Sequence, residues 1–342
     1  MITSKLIAKP RLHYDRTLGL ASMEGRGFSN PVDLAISNTD RIYVLSRTNP
    51  TQTYGIRVGI CDLEGNYFGD FGAYGRAPGE FIWPTSLAFD SQNRLYLADE
   101  YNQRITIFDT DGKYLTHWGV PGKKDGEFNG PSALAFDAQD DLYITDHRNH
   151  RVQKFTSDGH FLLNWGEYGH GKGQLNLPWG ITIAKDRTVY VADWRNNRIQ
   201  QFSGNGDFIS SLAGKTGSTK SQFNRPASVA VDSEDYTYVA DWGNERVQVI
   251  NPDGRIVQSL RGQADLSKWA KEFYEANPDE RLARDTANLT PTLTADVTTP
   301  YEESARTEKY FWGPCSVKLD DKGRLYVTES LRHRVQVFTI KH

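Results

Sequence analysis

The sequence predicts an all-β fold, a six-bladed β-propeller, in which residues 1–342 form a single domain. Three observations support this prediction: a unit of four short strands recurs along the chain, glycine-containing hairpin turns separate the last two strands of most units, and the two chain ends complement each other. The composition agrees with it, since 12% aromatic residues and 30 glycines are typical of a protein built from strands and tight turns.

Each repeat unit begins at a proline that opens a strand of alternating apolar residues. The units lie about 50 residues apart, except that the last interval is about 40 residues longer. A polar turn, a strand ending in an acid, a loop ending in arginine, a third strand, an Asp-Gly type turn and a fourth strand follow each proline. Four-stranded units of this period are typical of propeller blades. The opening prolines are Pro31, Pro84, Pro131, Pro178, Pro226 and Pro314.

The two ends of the chain predict how the ring closes. The sixth unit stops after its third strand, near Phe338, whereas the segment "LHYDRTLG" at 12–19 has no blade of its own. We therefore expect the N-terminal strand to be the outer strand of the last blade, because this pairing removes an exposed sheet edge.

An acid and an arginine recur five residues apart at the end of the second strand and the start of the third. We expect these pairs to tie the connecting loop in each blade rather than to catalyse, because an active site is usually made once. The first unit departs from the rule, since Ser46 replaces the acid. The pairs are Asp99/Arg104, Asp146/Arg151, Asp193/Arg198, Asp241/Arg246 and Glu329/Arg334.

The recurrent pattern "F-N-x-P…V-A-V-D…Y-V-A-D-x-x-N-x-R-V-Q-x-F" resembles the NHL repeat over roughly residues 12–340, outside one insertion. This resemblance implies an NHL-type six-bladed propeller, a fold that hosts lyases, hydrolase-like enzymes, peptide binders and RNA binders. The amidating lyases with this repeat carry metal-binding histidines directly after the opening prolines. We expect no such metal site here and no cofactor, because the corresponding residues are Val32, Thr85, Ser132, Trp179, Ala227 and Cys315.

Two insertions depart from the repeat, at 47–56 and at 263–302, and both fall in loops of the same face. The longer one has a net charge of −4. Asp265 could cap a helix that carries Leu266, Trp269, Ala270 and Phe273 on one side, and "NPD" at 277–279 would end it before a second short helix. We expect the rest of this insertion to lack regular secondary structure. We interpret the insertion as a lid over the central pocket, since long irregular segments in compact domains are often functional.

The candidate site residues follow the acids and flank the prolines on that face. His147 and Glu100 are the candidate acid–base pair, and Arg148, Arg195 and Arg225 could hold an anionic group. Tryptophans with a few directed polar groups suit an organic ligand. The further candidate ligand-binding residues are Asp33, Arg47, Tyr101, Trp179, Trp194, Trp242 and Trp312.

Several classes of function remain open at this level. The first is a propeller that binds a small organic or peptide-like ligand, which could be anionic, with or without metal-independent lyase or hydrolase chemistry. The alternative is a scaffold for a protein partner. RNA binding is disfavoured, because it relies on a strongly basic face and the insertion with a net charge of −4 lies on the same face. Two cysteines, the lack of a signal peptide and the lack of a long apolar stretch predict a cytoplasmic protein without nucleic-acid or membrane contacts.

Overall fold

The computed structural model describes residues 11–48, 53–213, 217, 222–293 and 297–341. Six sheets of four antiparallel strands form six blades, and the innermost strand of each blade contacts the innermost strands of both neighbours, so the blades close into a ring. Hydrophobic clusters lie between successive blades. The strands are β1 (Arg11–Leu18), β2 (Pro31–Ile36), β3 (Ile42–Ser46), β4 (Arg57–Cys61), β5 (Tyr67–Phe71), β6 (Pro84–Phe89), β7 (Leu95–Asp99), β8 (Arg104–Phe108), β9 (Tyr114–Trp118), β10 (Val120–Pro121), β11 (Glu127–Phe128), β12 (Pro131–Phe136), β13 (Asp141–Asp146), β14 (Arg151–Thr156), β15 (Phe161–Trp165), β16 (Pro178–Ile183), β17 (Val189–Asp193), β18 (Arg198–Phe202), β19 (Phe208–Ala213), β20 (Pro226–Val231), β21 (Thr237–Asp241), β22 (Arg246–Ile250), β23 (Ile256–Leu260), β24 (Pro314–Leu319), β25 (Arg324–Glu329) and β26 (Arg334–Lys341).

Blades 1 to 5 are β2–β5, β6–β9, β12–β15, β16–β19 and β20–β23, and blade 6 has the order β1-β26-β25-β24. The N-terminal strand β1 is thus the outer strand of blade 6 and pairs with β26 from Arg11↔Lys341 to Leu18↔Val335. We call the face that carries the loops between second and third strands, and between successive blades, the top face.

A repeated network fixes the top-face loop of most blades, and blade 3 shows it in full. The Asp146 carboxylate accepts hydrogen bonds from the Asn129 backbone N–H (2.7 Å), Arg151 Nε (2.9 Å), Asn149 Nδ2 (2.8 Å) and Gln153 Nε2 (3.2 Å). One buried acid therefore ties its own loop, the next strand and the segment that enters the blade. This confirms the structural interpretation of the acid–arginine pairs in blades 3 to 6.

Blade 2 differs from that rule. Arg104 donates to the carbonyl oxygens of Arg76, Ala77 and Glu80, while its Nε has no hydrogen-bond partner among the described residues. The Asp99 carboxylate instead accepts hydrogen bonds from five donors of its own loop and of the segment entering the blade, so the predicted ion pair is replaced by separate bonds.

The seams between blades are sealed by aromatic side chains that lie on hairpin glycines. A Cβ on Gly159 would stand 2.6 Å from Trp118 of the preceding blade, and one on Gly206 would stand 2.8 Å from Trp165. At the seam between blades 6 and 1 the partner of the hairpin glycine comes from the long insertion. The Trp269 indole N–H donates to the Gly65 carbonyl (2.7 Å), and Trp269 is 2% exposed.

Three helices lie within the described part of the long insertion or extend just past its end: α1 (Lys268–Ala276), α2 (Pro278–Thr286) and α3 (Pro300–Arg306). The N-cap of α1 is Ser267, whose hydroxyl accepts from the Ala270 N–H, and not Asp265 as the sequence suggested. Helix α3 lies in the part predicted to be irregular. Two local features explain why a helix forms there. Thr299 and Glu302 form a capping box, and a proline occupies the first helical position. None of the helices in the described ranges is long and apolar enough to cross a membrane.

Candidate functional site

Two rings of side chains form the mouth of the central channel on the top face. One ring comes from the residue after each opening proline, and the other from the residue after each second strand. Both positions recur once per blade, so the fold brings them to one place. The first ring is Val32, Thr85, Ser132, Trp179, Ala227 and Cys315, and the second is Arg47, Glu100, His147, Trp194, Trp242 and Ser330.

A cavity of about 280 Å³ lies inside these rings. This volume is near the lower end of the range of small-molecule pockets. Indoles from blades 4 and 5 make up much of its wall, and one cation faces it. The lining residues are Val32, Arg47, Thr85, Trp179, Trp194, Ala227, Trp242, Cys315 and Ser330.

Arg47 is the cation of the cavity wall. Its guanidinium lies over the Trp83 ring, 4.5 Å from the ring centroid. Its Nη1 atom is shielded from water and has no hydrogen-bond partner among the described residues. Burial lowers the pKa of Arg47, and the charge of Glu100 opposes this shift. A buried guanidinium N–H without an acceptor is costly, which makes this atom the best candidate ligand contact.

Glu100 and His147, the candidate acid–base pair, are brought together but do not line the cavity. Glu100 Oε1 lies 3.4 Å from His147 Nε2 and 2.5 Å from Arg148 Nη2. Burial by itself raises the pKa of Glu100, but His147, Arg148 and Arg47 outweigh it and lower the pKa. At 3.4 Å the His147 contact lacks hydrogen-bond geometry, and the His147 ring packs edge-on against Trp179, 5.1 Å between centroids.

The other predicted arginines of the rim do not reach the cavity wall. Arg195 and Arg225 lie over the Trp194 ring, at 5.2 and 5.1 Å from its centroid, and both are exposed. Arg148 is engaged by Glu100, and its side chain is 53% exposed. These cations surround the mouth, where water and salt screen them.

Tyr101 and Trp312, two further predicted ligand contacts, are also absent from the cavity wall. Tyr101 is exposed and pairs with Arg76, which lies over its ring at 5.3 Å. Trp312 packs between Tyr301 of α3 and the Arg332 guanidinium. The structure gives both of them packing partners on the top face instead.

Asp33 has a structural role, because its carboxylate connects neighbouring blades. Its carboxylate accepts from Ser86 Oγ (2.8 Å) and the Leu87 N–H (2.9 Å) of blade 2, and from Ser316 Oγ (2.6 Å) of blade 6. Lys318 Nζ lies 3.4 Å away. A carboxylate with this many donors has little capacity left for a ligand, so Asp33 ties three blades together around the channel.

Among the described residues of the long insertion, helix α3 contacts the top face. That helix packs beside the Trp242–Asn244 turn, and Arg332 donates to the Ser304 carbonyl (2.7 Å). Helix α1 instead packs along β1 at the outer rim. Of the described insertion residues, none lines the cavity. The lid that the sequence suggested is thus not seen over this cavity. In the shorter insertion, residues 49–52 lie outside the described residues.

A larger groove of about 620 Å³ lies at the outer rim between α1, β1 and the Gly65 turn. Two of its acids already have cationic partners, since Asp15 pairs with Arg16 and Glu272 pairs with Arg26. We place the candidate site in the smaller central cavity, where a shielded donor has no hydrogen-bond partner among the described residues.

Cys315 is the one thiol of the cavity wall, and it is not activated. Burial raises its pKa to about 12, while the charge of Arg47 opposes the shift and that of Asp33 adds to it. We expect Cys315 to react with iodoacetamide at pH 7 about a thousandfold more slowly than an ordinary free thiol, since the thiolate is the nucleophile. Mass spectrometry of the native protein over time would measure this rate. Rapid labelling of Cys315 would show that the thiol is activated.

The sequence analysis missed five residues of the wall as ligand contacts: Val32, Thr85, Ala227, Cys315 and Ser330. The sequence does contain the information needed to find them, because each occupies the same repeat position as a residue that was predicted to contact the ligand. In blade 6, Ser330 directly follows the acid, at the position that Trp194 and Trp242 occupy in blades 4 and 5.

Comparisons with known proteins agree with the repeat pattern. The NHL repeat model matches residues 81–108, 128–155 and 175–202, in blades 2, 3 and 4. The chain is therefore a six-bladed β-propeller with NHL repeats. No curated protein matches its sequence.

Solved propeller structures resemble the chain over nearly its whole length. A streptogramin B lyase is 13% identical with a TM-score of 0.55, covering 97% of this chain and 98% of its own. Virginiamycin B lyase from Staphylococcus aureus is 12% identical with a TM-score of 0.56, covering 97% and 99%. A protein of unknown function from Bacteroides thetaiotaomicron is 15% identical with a TM-score of 0.65, covering 97% and 77%. At these identities the likeness shows the fold alone.

Proposed function

We propose that the protein binds a small organic ligand in the central cavity of the top face. The observation that carries this proposal is the cavity wall, where indoles of blades 4 and 5 and the Arg47 guanidinium surround a space of about 280 Å³, and a shielded N–H of that guanidinium has no acceptor in the part of the chain that the structure describes. Concave aromatic walls with a few directed polar groups are typical of small-molecule sites.

Binding is a simpler proposal than catalysis for this wall. Of its nine residues, only Arg47 and Cys315 titrate, and the Cys315 pKa of about 12 makes the thiol a poor acid–base group near neutral pH. A lyase or hydrolase reaction would have to recruit Glu100 and His147, which do not line the cavity. The lyase names of two structural neighbours belong to those proteins, and the protein-partner alternative stays a prediction from the sequence.

Filling the cavity tests the proposal. We expect small aromatic probes, namely indole, phenol, benzamide and benzoate, to give saturation-transfer NMR signals with the wild-type protein. Val32→Trp should abolish the signals by filling the cavity, and Trp194→Ala should weaken binding at least about tenfold by removing an aromatic anchor. Leu115→Trp, on an exposed outer strand, is the control and should change nothing. Probes that fail to bind, or that bind Val32→Trp as well as wild type, would refute a binding site here.

A further inference from the structure

The mouth of the cavity has two chemically different sides. The residues that follow the second strands of blades 1, 2 and 3 are Arg47, Glu100 and His147, whereas those of blades 4 and 5 are Trp194 and Trp242. In a six-membered ring, blade 1 lies opposite blade 4. A ligand that spans the cavity therefore meets a guanidinium at one end and indole rings at the other.

The guanidinium end lacks an acceptor. The charge of Glu100 acts on Arg47, but Glu100 Oε1 is engaged by Arg148 at 2.5 Å and lies 3.4 Å from His147 Nε2. Arg47 Nη1 is left without a hydrogen bond among the described residues. Guanidinium N–H groups bind carboxylates through strong charge-assisted hydrogen bonds. A ligand carboxylate would supply the acceptor that the described residues do not.

Glu100 limits how much negative charge a ligand can carry at the Arg47 end of the cavity. Its pKa is lowered by His147, Arg148 and Arg47 despite burial, so it is ionised at neutral pH. Its side chain is only 8% exposed, so water screens its charge poorly. A ligand with one negative charge gains from Arg47, whereas a second negative charge at that end would be repelled by Glu100.

We infer that the ligand is a flat aromatic monocarboxylate, with its carboxylate on Arg47 and its ring against the indoles of blades 4 and 5. This inference rests on the proposed function and names the ligand class for that site. Arg47 provides affinity for the acid, and Glu100 selects against dianions.

Calorimetric titration with three probes tests the inference: benzoate, the neutral isostere benzamide and the dianion phthalate. We expect wild-type protein to bind benzoate about tenfold more tightly than either of the others. In Arg47→Gln the preference for benzoate over benzamide should disappear, and Arg47→Lys should restore part of it. In Glu100→Gln the affinity for phthalate should rise about tenfold, more than that for benzoate. A gain in affinity is a result that mere damage to the fold would not produce.

Arg41→Gln is the matched control, because the Arg41 guanidinium also lies 4.5 Å from an aromatic centroid, that of Phe68 on an outer strand. It should leave all three affinities unchanged. If benzamide binds as tightly as benzoate, the inferred ligand class is wrong although the cavity still binds ligands. If none of the three probes binds, both the class and the proposed function fail. An unchanged phthalate affinity in Glu100→Gln would overturn the role of Glu100.

Discussion

Trp269→Ala is expected to lower the free energy of unfolding by about 3–5 kcal/mol. The side chain packs edge-on against Phe28 (5.4 Å between centroids) and Tyr67 (6.1 Å). Its cluster includes Leu18 of blade 6 and Leu34 of blade 1. The substitution would leave a cavity at the ring's closing seam and strip the Gly65 carbonyl of its donor. Equilibrium unfolding in urea measures the loss.

Phe273→Ala is the control within the same helix, since Phe273 is 39% exposed. It should cost less than about 1 kcal/mol, as surface substitutions usually do. Trp269→Phe separates packing from the indole hydrogen bond and should give an intermediate loss. A loss below about 1 kcal/mol for Trp269→Ala would mean that α1 is an appendage of the ring and not part of its closure.

Glu245→Gln is expected to change how stability depends on pH. Glu245 accepts a hydrogen bond from the Gly313 N–H (2.6 Å) across the seam between blades 5 and 6, and it is 2% exposed. Burial raises its pKa to about 7, and Glu329 adds to the rise, against the opposing effects of Gly313 and Arg261.

The sign of the effect follows from the raised pKa. Between the ordinary value of 4.5 and about 7 the folded state holds the proton that the unfolded chain releases. Glu245 therefore favours folding at low pH, and this contribution is lost as the pH rises through that window. Gln keeps the acceptor without the charge. We expect the stability of the variant relative to wild type to increase by roughly 3 kcal/mol between pH 4 and pH 8.

Urea unfolding of both proteins across this pH range provides the measurement. Glu64→Gln, in which an acid that is 69% exposed is replaced, controls for the general effect of removing one carboxylate. If wild type and Glu245→Gln differ by the same amount at every pH, Glu245 does not carry a raised pKa in the folded protein.

The repeat explains why so much of the fold could be predicted. The opening prolines, the acid–arginine spacing and the hairpin glycines mark the strands directly, because each has a local conformational role that recurs in most blades. The incomplete sixth unit likewise predicted the pairing of β1 with β26. Helix α3 was missed although its capping box at Thr299 is visible in the sequence, because threonine- and proline-rich context was read as irregular.

The site was predictable in position but not in detail. The position of Arg47, Trp194 and Trp242 within the repeat places them at the mouth of the cavity, since equivalent positions of a closed ring converge. Position within the repeat does not show which charged side chains already have partners in the folded protein. The engagement of Glu100 by Arg148 and of Asp33 by two neighbouring blades depends on contacts between blades. The path of the long insertion could not be predicted from the sequence, because it depends on where the Trp269 side chain can be buried.

The most direct test of the binding site is a crystal structure of the protein with para-bromobenzoate. We predict anomalous bromine density against the indoles of Trp194 and Trp242, with the carboxylate within hydrogen-bond distance of Arg47 Nη1. An empty central cavity at saturating probe, or bromine density only outside it, would contradict the account.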